Sequence, residues 1–493
     1  AVDNRQLLLD YQRDFFRESH EMAAKNPVKA YVFGDAFDRT KTRAFARLLK
    51  RHHIEVRHLA KSHTADNRHF EPGKAFVVPL DQMQYRLIQT FFEPHTTFLD
   101  SVFYDASAWT VALAFDMPYA RLRSVPAGRE LTDEDLEPTP RNVAPTQYAW
   151  VFDWSDYAAP RALYYLLDKG VVVRAATKPF MIKENGVERA FHYGSMLIAL
   201  TDQYLNPERV HDLVNEAGRL ANIEIVPVST GMNVAGPYLG SRAFVPVSKP
   251  RVAMVVGDGI SGYEAGEIWH LLDTQLGMPV TKVDLLDFDR LRPENYTAII
   301  FPSGNYSALK QDRIETLKNW ASRGGTLIFM RQSVAWAVRQ GLVKEHFKKP
   351  PKSKNGKPRR FDFGTARDRR GALAVGGSIY LTSLDITHPL AFGYHRRQLP
   401  VYRNHDIFIE PSENPYSTVA QYTDAPLLDG YIHPDNLEMI KNSASLLVSR
   451  LSRGRAILFV DNPNFRGFWY GTNRLFFNAL FFAELSDPPG GGE

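Results

Sequence analysis

The sequence predicts an α/β protein whose sheets are mainly parallel and covered by helices on both faces. Two observations carry this. Short, wholly apolar runs without polar alternation recur along the chain, separated by amphipathic stretches at helical spacing. The rhythm also starts afresh after a Gly- and Pro-rich segment, residues 231–250, so two α/β domains related as loose copies are expected. Composition agrees: of 493 residues, 44% are apolar and 23% charged, which excludes a disordered or fibrous chain.

Taken in order, residues 1–26 place Leu7, Leu8, Tyr11, Phe15 and Phe16 on one helical face, and Pro27 ends that helix. The run Lys29–Phe33 reads as a strand, and a helix follows through Phe45, Leu48 and Leu49. Ile54–Arg57 and Lys74–Pro79 are the next strand-like segments, and residues 120–147, rich in Pro, Asp and Glu, read as an exposed connection. Tyr148–Phe152, a helix over Pro160–Lys169 and the run Gly170–Arg174 repeat the pattern, with Pro160 suited to a first turn and Gly170 to an exit. Ser195–Ala199, a helix over Pro207–Leu220 and Ile223–Pro227 complete the first series. The second begins at Arg251–Val256 and continues through Tyr263–Leu276, Thr281–Leu285, Ala298–Phe301, Gln311–Arg323 and Gly325–Met330. It closes with Ala456–Val460 and an amphipathic helix carrying Leu475, Phe476, Leu480 and Phe481. Domains over 1–245 and 246–487 follow, with 488–493 as a loose tail.

Charge excludes little by itself. The 60 Lys+Arg and 55 Asp+Glu leave +5, too diffuse to argue for nucleic acid. The basic run over residues 346–370 has few interleaved aromatics, among them Phe347 and Phe361, and reads as a solvated loop. Cysteine is absent, which removes disulfides, thiolate nucleophiles and cysteine metal sites. No apolar run is long enough to span a bilayer as a helix. The chain opens at Ala1 without an initiator Met or signal region, as expected of a processed product or of part of a longer polypeptide.

Three chemical signals stand out. Gly257-Asp-Gly-Ile-Ser-Gly262 follows an apolar strand and opens a helix, with Asp284 ending the next strand, as in a dinucleotide-binding turn. Asp258 and Glu264 would repel the phosphates there, so a structural turn is the favoured reading and a nucleotide- or sugar-binding enzyme the alternative. His52-His-Ile-Glu55, with His192 far downstream, has the spacing of a zinc set, yet Glu55 falls inside a strand and no metal is expected. Finally, strand, Pro302-Ser303-Gly304-Asn305, helix, strand and Met330-Arg331-Gln332-Ser333 resemble the layout of a class I glutamine amidotransferase. The elbow position falls near Arg331, so the thiolate such chemistry needs is missing. Ser333 would be a substitute nucleophile only with a base, for which His433-Pro-Asp435 is the nearest and weak candidate.

Longer blocks carry a second resemblance. Val78–Ile88, Phe103–Trp109, Val151–Tyr157, Gly257–His270 and Asp461–Arg474 together are similar to the region that follows the peptidase domain in large bacterial zinc carboxypeptidases of the carboxypeptidase A type. The likeness runs over nearly the whole chain. It implies two flavodoxin-like or amidotransferase-like domains and an exported, periplasmic or extracellular, non-catalytic accessory region. The family's zinc belongs to the peptidase domain, its implied partner, and its catalytic residues have no matching positions here. No cofactor is expected in this chain, and a peptide or a carbohydrate is the ligand class expected if one is held. Because α/β sheets bind ligands at the carboxyl ends of their strands, Asp258, Ser261, Ser303, Asn305 and Arg331 are the expected ligand-binding cluster.

Overall fold

The computed structural model describes residues 3–98, 107–139, 142–350 and 360–486. The tail at 488–493, part of the block Phe103–Trp109 and part of the basic run lie outside them. Two compact units emerge: Ala1–Pro94 with Trp109–Thr139, and His95–Ala108 with Pro140–Glu493.

The first unit is built on a four-stranded sheet in the order Arg57–His58, Phe76–Pro79, Ala30–Phe33, Tyr119–Leu122, with every pairing antiparallel. Its two central strands, Ala30–Phe33 and Phe76–Pro79, are buried on both faces, and Phe33, Phe45 and Phe92 form the aromatic centre, with Tyr31 stacked on Phe92 at 4.5 Å. Asp38 caps the helix Arg39–Arg51 by accepting from the Lys41 amide. The leading helix, Arg5–Lys25, leaves Leu7, Leu8 and Tyr11 exposed, although their spacing suggested a buried face.

The second unit contains two sheets. Five strands, in the order Val226–Val228, Ala149–Phe152, Met196–Ala199, Arg174–Ala176, Phe244–Pro246, pair entirely antiparallel. The expectation of mainly parallel sheets therefore fails for the first half of the chain. The strand–helix–strand alternation is real: Ala149–Phe152 and Arg174–Ala176 flank the helix Ala159–Asp168 and run the same way. Met196–Ala199 then inserts between them in the opposite direction. A strand buried on both faces has the same apolar signature whichever way its neighbour runs.

The expectation holds for part of the second half. Nine strands run in the order Thr281–Asp284, Val252–Val256, Ala298–Phe301, Thr326–Met330, Gly454–Phe459, Ala444–Leu451, Thr418–Asp429, Ser378–Leu384, Gln398–Arg403. The first five are parallel and the last four are added antiparallel. Alternate residues of the parallel strands feed two cores. Met254, Ile300, Ile328 and Ile457 face the helices Gly262–His270 and Tyr470–Phe481, whereas Val255, Ile299, Leu327 and Leu458 face Gln311–Ser322 and Gln332–Arg339. This two-sided burial is why each strand reads as an unbroken apolar run. The first of these cores also takes in Trp150, Leu163 and Val210 beside the five-stranded sheet. The expected boundary at 245/246 falls within the strand Phe244–Pro246 of the five-stranded sheet, and so inside this unit, before the nine-stranded sheet begins at Val252. No described helix is long and apolar enough to cross a membrane.

Candidate functional site

The carboxyl ends of the parallel strands bring three loops together. At the first, Gly257 and Gly259 adopt φ of 102° and 83°, and a Cβ on Gly257 would lie 2.6 Å from the Asp284 carboxylate. Glycine is needed there for backbone shape and for the approach of Asp284. Ser261 then caps the helix Gly262–His270, its hydroxyl accepting from the Glu264 amide. The second loop closes over this turn: the Ser261 amide donates to Ser303 O at 2.8 Å, and the Asn305 amide to Gly259 O at 2.9 Å. Gly304 forms an isolated bridge with Ile260. Of the turn's amides, that of Ser261 is thus spent on the adjoining loop, and that of Ile260 closes the turn on Gly257 O at 3.1 Å.

The third loop is the elbow. Between the strand Thr326–Met330 and the helix Gln332–Arg339, Arg331 sits at φ 50°, ψ −110°, a conformation that side chains rarely adopt. Its amide donates to Phe459 O at 2.9 Å, which ties the elbow to the neighbouring strand. Ser333 secures the turn from below. Fully buried, its hydroxyl donates to Phe301 O at 2.6 Å and accepts from the Met330 amide at 2.7 Å. This is a structural staple. His433, the weak candidate for its base, instead caps the helix Pro434–Ile440 by accepting from the Asp435 amide.

Glu264 lies at the centre. Arg331 Nη1 donates to its Oε1 at 2.7 Å, and the Ser303 amide donates to its Oε2 at 2.8 Å. The glutamate side chain is 3% exposed and the arginine 21%. Burial pushes the Glu264 carboxyl above its ordinary range, against the pull of the guanidinium and the Ser303 amide. One turn along, burial raises Glu267 to about 6, even though Asn462 Nδ2 and the Arg466 amide each donate to it at 2.6 Å. Beside the elbow, Asp461 accepts from Arg403 Nη1 at 3.0 Å, Tyr422 Oη at 2.5 Å and Ser445 Oγ at 2.6 Å, with His405 Nε2 at 3.2 Å. Burial opposes the charge of Asp461, but Arg403 and His405 outweigh it and hold the carboxyl at about 2. The loop beyond Phe459 thus supplies a buried ion pair and the asparagines 462 and 464.

Of the five residues expected to cluster, Ser261, Ser303, Asn305 and Arg331 lie on these three interlocked loops, and Asp258 stands exposed at the tip of the glycine turn. Sequence reasoning passed over Glu264 and Glu267 as partners. Three residues apart on one helix, they look like any solvated acidic pair until the fold buries them. The zinc set suggested by spacing divides between the units: His52 and Glu55 belong to the first and His192 to the second. Glu55 pairs with Arg57, and His52 packs edge-on against Phe91. His192 has a carboxylate partner of its own in Asp153, at 3.1 Å.

No family model and no curated protein matches the chain. Among solved structures it is similar to PurLQS from Thermotoga maritima, at 14% identity, 47% of this chain, 97% of that one and a TM-score of 0.31. A ThuA-like protein from Parabacteroides merdae aligns at 13% identity over 47% of this chain and 89% of that one, with a TM-score of 0.30. A glutamine amidotransferase from Thermotoga maritima aligns at 10% identity over 44% and 76%, with a TM-score of 0.27. Likeness this distant carries no argument about activity.

Proposed function

We propose that the chain is a non-catalytic accessory region of a bacterial zinc metallocarboxypeptidase, whose second unit contains an amidotransferase-like module disabled for acyl transfer. The observation that carries this reading is the Glu264 carboxylate, held between Ser303 N and Arg331. Acyl transfer at a strand-to-helix elbow needs a nucleophile on the elbow and free amides to receive a developing oxyanion. Here the elbow bears a guanidinium, and the facing amide already serves a carboxylate of the same chain. Such a carboxylate excludes an anionic intermediate by charge as well as by volume.

The sequence blocks similar to the post-catalytic region of carboxypeptidases supply the parent family and with it the role, which is to support a peptidase domain or hold its substrate. Exported localisation follows from the same similarity. A nucleotide-binding enzyme is disfavoured, because the Ile260 and Ser261 amides of the glycine turn are engaged and the Glu264 carboxylate sits on the adjoining loop, where it would repel a phosphate. The test is direct. Incubated alone with glutamine or with peptides, the chain is expected to release neither ammonia nor a C-terminal residue. Removing it from the parent polypeptide should raise KM or lower the thermal midpoint of the peptidase domain. Turnover by the isolated chain, or a peptidase indifferent to its removal, would overturn the reading.

A further inference from the structure

A second cluster lies away from the elbow, where the five-stranded sheet meets two loops. The strand Ala149–Phe152 ends at Asp153; the turn His192-Tyr-Gly-Ser195 precedes the strand Met196–Ala199; and Gly393-Tyr-His395 follows a short turn at Pro389–Ala391. The ligand atoms of Asp153, His192 and His395 all lie within 4.8 Å of one another. The two imidazole rings stand 4.3 Å apart at 90°, so they do not stack but converge. His192 Nδ1 is 3.1 Å from Asp153 Oδ2, and His395 Nε2 is 2.7 Å from Ser155 Oγ.

The supports of these groups are rigid. Asp153 Oδ1 accepts from the Ser155 amide at 2.6 Å, which leaves Oδ2 turned toward the imidazoles. Ser195 Oγ accepts from the His192 amide at 3.1 Å, fixing that turn. Gly194 and Gly393, with φ of 82° and 85°, are both pressed against Trp154, which is fully buried, and Arg474 donates to the carbonyls of Trp154 and Ser155. A side chain at either glycine would collide with this platform. The loops are thus held by interior groups, while the Asp153 and His192 side chains stay about one-third exposed, at 31% and 34%.

We propose that Asp153, His192 and His395 form a binding site for one divalent transition-metal ion of the zinc type, with the Ser155 hydroxyl beside it. Two imidazoles and a carboxylate, without thiolate, suit zinc and its first-row neighbours better than calcium or magnesium, which prefer all-oxygen shells. Ligand bonds near 2.1 Å around a tetrahedral ion put donor atoms about 3.4 Å apart. The His192–Asp153 separation already matches this, and the longest separation closes with a shift of roughly an ångström. Three protein ligands and partial exposure leave a coordination position open for water or a small anionic ligand. The bonds to Asp153 Oδ1 and around Ser195 are the kind of outer contacts that orient such ligands. The site revises the expectation that this chain holds no metal, and it is independent of the accessory role proposed above.

The test uses the whole chain, stripped with a chelator and re-equilibrated with Zn2+ alone against a chromophoric competitor. One zinc per chain is expected, and Asp153→Asn, His192→Asn and His395→Asn should each weaken it by about tenfold or more. His433→Asn, at a helix cap elsewhere, should leave it unchanged. Co2+ in the wild-type chain provides a readout free of variants: visible bands of a four- or five-coordinate N/O site are expected. Zinc retention by the triple variant equal to that of wild type, or a Co2+ spectrum no different from the hydrated ion, would overturn the proposal.

Discussion

Replacing Arg331 tests the heart of the elbow. In Arg331→Met the Glu264 carboxylate keeps only the Ser303 amide, in a site where it is 3% exposed. Breaking a buried ion pair costs about 3–5 kcal/mol, and the 21% exposure of Arg331 places this pair at the lower end, about 3 kcal/mol. Arg331→Gly loses the same charge but relieves the backbone at φ 50°, ψ −110°, and so should recover about 1 kcal/mol of it. Pairing Arg331→Met with Glu264→Gln removes the uncompensated charge, and the double variant should return to within about 1 kcal/mol of wild type. The pH dependence has a definite sign. Glu264 has a folded-state pKa above its unfolded value, so its contribution is most favourable below the unfolded value and declines as pH rises through the folded one. Without Arg331 that decline steepens, and the Arg331→Met defect should shrink toward pH 4. Urea denaturation followed by tryptophan emission provides the assay, because every tryptophan except Trp109 lies in the second unit. An Arg331→Met midpoint equal to that of wild type at pH 7, or a double variant as unstable as the single, would refute the reasoning.

Two further outcomes follow from local geometry. Gly257→Ala places a methyl group at φ 102°, 2.6 Å from the Asp284 carboxylate, and should cost about 1–3 kcal/mol, read as a lowered thermal midpoint. His388 is held at about 4 by burial, so its neutral form is favoured in the folded state. Stability should therefore fall as pH drops from 6.5 toward 4, by about 3 kcal/mol for a displacement of this size, and His388→Asn, whose amide oxygen can still cap Leu390 N, should flatten that slope in urea titrations.

The apolar strands, their alternation with helices, the glycine turn and the absence of a thiolate were all legible in the amino-acid order. These are local properties: a run such as Ala298–Phe301 can only be buried on both faces, and Gly257 is required by its own φ. It also brought Ser303, Asn305 and Arg331 to one sheet edge, because parallel strands place their exits on one side. Strand direction was beyond it. Met196–Ala199 enters between two strands already laid down, and the choice between parallel and antiparallel neighbours is made by which hydrogen-bonding edge remains free. The partners of the charged groups were equally hidden. Glu264 meets Arg331 across 67 residues, and Asp153 meets His192 across 39 and lies within ligand distance of His395 much further along the chain. Short-range patterning records whether a residue is apolar and how often, but the depth at which a carboxylate ends up, and the cation or imidazole waiting there, exist only once distant loops have packed together.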